Sequence, residues 1–198
     1  MVAGDRGRGL DPRSSHLGRR RVQDGRRTIP VRPSGESRMS LYDIPFDAMD
    51  GTTHTLREHA DDVVLVVNVA SRCGLAPQYA TLEAMQEKYR DRGFTVIGFP
   101  SNQFLQELGT NEAIQEFCSL TYGVTFPVVD RVRVNGRHAH PLYQELKKAE
   151  DAEGKAGRVT WNFEKFVVVP GGEVHRFRPR TLPDDPAIVD LVEAHLPR

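Results

Sequence analysis

The run VVLVVNVA at residues 63–70 constrains this chain most. Four β-branched residues and a leucine follow one another without a polar break, which favours extended backbone and a buried strand. Directly after it, SRCGLAPQY (71–79) carries one of only two cysteines, then a glycine and a proline. A helix is predicted to follow over ATLEAMQEKYRDRG (80–93), with Leu82, Met85 and Tyr89 on one apolar face and Gly93 as its stop. Cys73 therefore stands between the carboxyl end of a buried strand and a helix.

The same strand and helix signals recur along the chain. TVIGFP (95–100) reads as a second short buried strand. TNEAIQEFCSLTYG (110–123) reads as a helix capped by Thr110 or Asn111 and ended by Gly123. FPVVDRVRV (126–134) is predicted extended, NG at 135–136 a turn, and HPLYQELKKA (140–149) a helix. FEKFVVVP and EVHRFRP flank Gly171–Gly172, a hairpin signal, and DDPAIVDLVEAHL (184–196) predicts a C-terminal helix with proline near its start. This order implies one α/β domain with a mixed central sheet.

Charge divides the chain at residue 38. Residues 1–38 hold ten Arg and four acidic residues, net +6, with no Phe, Tyr or Trp; residues 39–198 hold 17 basic and 23 acidic residues, net −6. The arm cannot bury enough apolar surface to offset its ordering entropy and is expected to be disordered. It lacks the apolar segment that a secretory or twin-arginine signal requires. Met39 opens MSLYDIPFDAMDG, which itself reads as a protein start. The mildly acidic body argues against nucleic acid as a partner. No apolar run approaches the ~18 residues that span a bilayer. Two cysteines make no disulfide scaffold, and the scattered histidines, with His138 and His140 the nearest pair, have no zinc-ligand spacing.

Position alone leaves two readings of Cys73 open. Sites form at the carboxyl ends of strands in open α/β sheets, helix-opening N–H groups stabilise a thiolate, and Gly74 leaves the sulfur uncovered. A buried, inert cysteine is the other reading. Position 76 holds Ala76, so there is no C-x-x-C motif, and Val66 and Ala70 stand where a peroxiredoxin motif requires Pro and Thr.

Four segments in order, NVASRCGLAPQYATLE, GFPSNQFLQELGTNEAIQEFC, FPVVDRVRVNGRHAHPLYQELK and VTWNFEKFVVVPGGEVHRFRP, resemble the glutathione peroxidase family. The resemblance runs from about residue 40 to the C-terminal helix, nearly all of the body. It implies a thioredoxin-like fold and reduction of hydrogen peroxide and of organic or lipid hydroperoxides by a cysteine or selenocysteine. The family's active-site group falls on Cys73 in NVASRCG, Gln106 in QELG (QEPG in the family), and Trp161 and Asn162 in WNF. Thiolate attack on a peroxide oxygen leaves a sulfenic acid. Neutral indole and amide donors suit the charge that develops on the departing oxygen.

Recycling is expected to use a thiol co-substrate, thioredoxin or glutathione, with no bound cofactor. The resemblance implies a resolving cysteine, and Cys118 is the candidate. It departs from the family pattern, whose resolving position falls one residue later, on Ser119, while Ser101 stands where some relatives carry another cysteine. The alternative for Cys118 is core packing, since Ile114, Phe117 and Cys118 form one apolar face. The short polar stretch at 149–159 resembles that of monomeric members with open sites. No basic cluster is evident near Cys73, where Arg72 is the nearest cation; thioredoxin is the expected reductant. Without a leader, the cytoplasm is the expected location. Two other roles stay open: a peroxide sensor relaying oxidation to a partner protein, and a non-catalytic thioredoxin-like binding domain.

Overall fold

The structure is a computed structural model that describes residues 40–198, so the expectations for the arm lie outside the described residues. Two short strands, β1 (Pro45–Asp47) and β2 (Thr53–Thr55), pair antiparallel. They precede β3 (Val63–Val69), every residue of which is buried. Helix α1 (Gln78–Tyr89) leads to β4 (Phe94–Pro100), also buried throughout. Then come α2 (Asn111–Tyr122), α3 (Pro141–Leu146), β5 (Lys165–Val168), β6 (Val174–Phe177) and α4 (Pro186–His195).

The main sheet has the order β4-β3-β5-β6, with β3 parallel to β4 and antiparallel to β5. This is the mixed, helix-flanked sheet of a thioredoxin-like fold. Alternate β3 residues feed two cores. Val63, Leu65, Val67 and Val69 meet α1, α2 and α4 through residues such as Leu82, Ile114 and Ile188. Val64 and Val66 meet α3 and the β1–β2 ribbon through Leu142, Tyr143 and Phe46. Each fully buried Val or Leu contributes about 1.5–3 kcal/mol, so β3 anchors both layers.

Most element boundaries follow the sequence signals. Thr110 caps α2 by accepting from Ala113 N–H, and Gly123 ends it in the left-handed region. α1 begins at Gln78, two residues earlier than expected, because Pro77 already has helical backbone. It tightens into a 3-10 turn over Arg90–Arg92 before the left-handed Gly93. α3 stops at Leu146 rather than Ala149; the chain turns there, and Lys147 C=O accepts from Gly157 N–H at 2.8 Å. The extended segment 126–134 forms no full strand. It runs beside β4 and β1 through single bridges, Gly98–Val128 and Ala48–Val129, and Pro127 has no N–H to donate.

Candidate active site

Cys73 lies in the loop joining β3 to α1. Backbone contacts tie this loop to the one after β4: Arg72 N–H donates to Gln106 C=O at 2.8 Å, and Ser71 N–H to Glu107 Oε1 at 3.0 Å. Glu107, itself buried, also accepts from Leu108 N–H at 2.7 Å. A single carboxylate thus clamps the cysteine loop to the glutamine loop.

The thiol differs from the sequence expectation in two ways. Cys73 is 6% exposed rather than uncovered. It also lies five positions before α1, so a turn, not the helix end, faces it: Leu75 N–H donates to Cys73 Sγ at 3.4 Å. Gly74 is not in the left-handed region, but a Cβ there would meet open space, so the chain next to the sulfur is unobstructed.

Gln106 is brought in by a bend. Leu105 adopts φ 59° and points outward, 86% exposed, while Gln106 beside it is half-buried. A leucine in that region costs on the order of 1 kcal/mol. Asn102 offsets it by accepting from Leu105 N–H through its backbone and from Glu107 N–H through its side chain. Gln103 secures the other side, its Oε1 accepting from Val134 N–H and Asn135 N–H.

Trp161 and Asn162 sit in the turn before β5. Asn68, a fully buried amide in the otherwise aliphatic β3, holds this turn. Its Nδ2 donates to Trp161 C=O at 3.0 Å, its backbone C=O accepts from Phe163 N–H at 2.6 Å, and its Oδ1 accepts from Glu164 N–H at 3.1 Å. Phe163 takes the bend at φ 63°. Behind it, Glu164 is fully buried and bound by Thr160, Arg176 and Arg178. The same strand that delivers Cys73 therefore delivers Trp161 and Asn162.

Asn162 is fully buried, and its Nδ2 donates to Gln106 Oε1 at 3.0 Å. Trp161 is 41% exposed, its ring centroid 5.1 Å from that of Phe104. Cys73, Gln106, Trp161 and Asn162 thus come from loops knitted together at one end of β3. Among the described residues, the hydrogen bond to the sulfur itself comes from Leu75, not from the other three.

A cleft of about 670 Å³ opens beside them, lined by Leu75, Thr160 and Trp161. Three cations, Lys155, Arg178 and Arg180, reach it, a basic cluster not apparent in the sequence because its members arrive from two separate segments. Two acids accompany them. Asp151, held down to about 2 chiefly by Lys155 N–H and further by Arg178, binds Arg178 at 2.5 Å, and Glu153 binds Lys155 at 2.6 Å. Arg180 is exposed.

Cys118 is 2% exposed and faces the core, whereas Ser119 points to solvent. Successive helix positions lie about 100° apart, which produces this inversion. Burial pushes the Cys118 thiol up to about 11, and the Glu107 charge adds to it. Both cysteines are free thiols. Among the described residues no group of three or more His, Cys, Asp or Glu could hold a metal ion, and no helix is long and apolar enough to cross a membrane.

Asn68, Glu107, Glu164 and Lys165 belong to the site's scaffold and were not singled out from the sequence. Three of them carry a signal in the sequence, Asn68 as an amide inside VVLVVNV and Glu164 and Lys165 as adjacent charges inside the apolar FEKFVVV; Glu107, in the loop segment QELG, carries none.

The glutathione peroxidase family model matches residues 41–147. A "Glutathione peroxidase" of Lactococcus lactis subsp. cremoris is 46% identical over 150 residues, covering 74% of this chain and 94% of that protein. The "Thioredoxin/glutathione peroxidase BtuE" of Escherichia coli is 43% identical over 169 residues, covering 75% and 92%. The crystal structure of T. cruzi GPX1 superimposes with a TM-score of 0.60 at 30% identity, covering 79% and 94%. The chain belongs to the glutathione peroxidase family and is a peroxidase-type oxidoreductase.

Proposed function

We propose that Cys73 is the thiol that this peroxidase oxidises and that Gln106, Trp161 and Asn162 assist it. The thiolate attacks one oxygen of a hydroperoxide, the S–O bond forms as the O–O bond breaks, and the departing oxygen takes a proton to leave as water or alcohol. Sulfur is oxidised to the sulfenic acid. The Trp161 indole N–H and the Gln106 amide are neutral donors for the charge on the departing oxygen. Asn162 orients the amide of Gln106. The observation that carries this reading is the knitting of all three supporting residues to the Cys73 loop through Asn68, Glu107 and the Asn162–Gln106 pair. The open cleft beside Trp161, with Leu75 on its wall, favours organic and lipid hydroperoxides as well as hydrogen peroxide.

The reductant in this proposal is a thioredoxin-type dithiol, working through a Cys73–Cys118 disulfide. That route requires α2 to open locally, since Cys118 faces the core. Its burial favours a second reading, in which an external thiol, glutathione among the candidates, attacks the Cys73 sulfenic acid directly. Water leaves as the mixed disulfide forms, and a second thiol then releases Cys73. We further propose that the protein works as a monomer in a reducing cytoplasm, in keeping with the short segment 149–159 and the two free thiols.

The test is peroxide-driven NADPH consumption with a thioredoxin system and with a glutathione system. Wild type should turn over, and Cys73→Ser should be folded and inactive; activity in Cys73→Ser overturns the assignment. Loss of thioredoxin-supported turnover in Cys118→Ser selects the disulfide route, and unchanged turnover selects direct reduction.

A further inference from the structure

Lys165 opens β5 and is fully buried. Among the described residues its ammonium has no carboxylate partner. Instead Nζ donates to three backbone carbonyls: Phe163 at 2.7 Å, Thr181 at 2.6 Å and Pro179 at 3.2 Å. Pro179 C=O also accepts from Gln78 Nε2 at 2.9 Å, at the start of α1. An ammonium has three N–H bonds, and here each meets a carbonyl.

Those carbonyls belong to two different walls of the site. Phe163, with its left-handed backbone, sets the direction of the chain just after Trp161 and Asn162. Pro179 lines the cleft together with Arg178, Arg180 and Trp161. We infer that Lys165 is a positioning residue whose ammonium fixes the Trp161–Asn162 turn against the 179–181 segment, and whose loss of a proton loosens both. This rests on the proposal that Trp161 and Asn162 serve the chemistry of Cys73.

The surroundings make that proton labile. Val67 of β3 and Phe177 of β6, its strand partners, are apolar. From α1 comes the neutral Gln78, and from the 179–181 segment the exposed Arg180. Glu164 is the anion that acts on Lys165, but its carboxylate is bound by Arg176 and Arg178. Burial therefore dominates and brings the ammonium down to about 7. A neutral amine has two N–H bonds for three carbonyls, so one contact is lost on deprotonation.

Trp161 is the chain's single tryptophan, so its emission reports on this turn without engineering. The experiment is acrylamide quenching of Trp161 between about pH 6 and pH 9, in full-length protein carrying Cys73→Ser so that the thiol does not contribute. Quenching should rise in one step centred near the Lys165 value of about 7. Lys165→Arg, charged throughout, should remove the step and keep quenching low. Lys165→Met should remove the step and keep quenching high. With Cys73 intact, Lys165→Met should lose about tenfold or more in kcat/KM, and Lys165→Arg should recover most of it. A wild type without the step overturns the inference, as does a step that survives in Lys165→Arg. If Lys165→Met does not fold, those two titrations still decide. Because quenching needs no turnover, a failed peroxidase assignment would leave this readout intact.

Discussion

Asn162 Nδ2 donates to Gln106 Oε1 at 3.0 Å, joining the turn before β5 to the loop after β4. With Oε1 engaged as an acceptor, Nε2 is, among the described residues, the free end of the Gln106 amide. Asn162→Ala and Gln106→Ala should each lower kcat/KM for peroxide. The double variant should lose less than the two separate losses combined, with a coupling of about 0.5–3 kcal/mol, as residues in one hydrogen-bond pair do. Additive losses in a steady-state double-mutant cycle would show that the two amides act independently.

Cys118 should be slow to alkylate in the folded protein. With its thiol at about 11, roughly one part in ten thousand is thiolate at neutral pH, before access is considered. In Cys73→Ser protein, mass spectrometry should find Cys118 unlabelled by iodoacetamide until denaturant is added. Fast labelling under native conditions would mean that α2 opens readily without oxidation.

The Glu164 cluster should be among the costliest sites to disturb. Glu164 and Arg176 have fully buried side chains 2.5 Å apart, and Arg178 adds a second cation at 2.8 Å. Glu164→Gln leaves the Arg176 guanidinium without its counter-charge, and removing one partner of such a pair costs about 3–5 kcal/mol. Chemical denaturation should read a loss of that size; a loss below about 1 kcal/mol would show that the carbonyls of Ala149 and Arg158, which also bind Arg176, are sufficient.

Lys165 also predicts a slope of stability with pH. Its value is lowered on folding from near 10.5 to about 7, so between those values the unfolded chain binds the proton and the folded protein does not. Unfolding free energy should therefore gain a contribution that rises with pH across that window and is flat below it. Subtracting the Lys165→Met profile from wild type in urea titrations isolates it. A difference that stays flat across that window would mean that the three carbonyls offset burial.

The sequence by itself determined most of the elements, their order and the residue types of the candidate site. VVLVVNV reads as a buried strand, Thr110 or Asn111 and Gly123 bracket a helix, and Gly171–Gly172 turn a hairpin, because burial and backbone preference act between near neighbours; the structure selects Thr110 as the cap. Tertiary structure alone decided how the site is held. Asn68 reaches Trp161 across 93 positions, Gln106 meets Asn162 across 56, and Lys165 meets Thr181 from an adjoining segment. It also decided that Cys73 lies nearly buried under a turn and that Cys118, not Ser119, faces the core. Such contacts depend on which loops the sheet gathers at one end of β3. That gathering follows from strand order and register, and residues far apart in a chain carry no local trace of it.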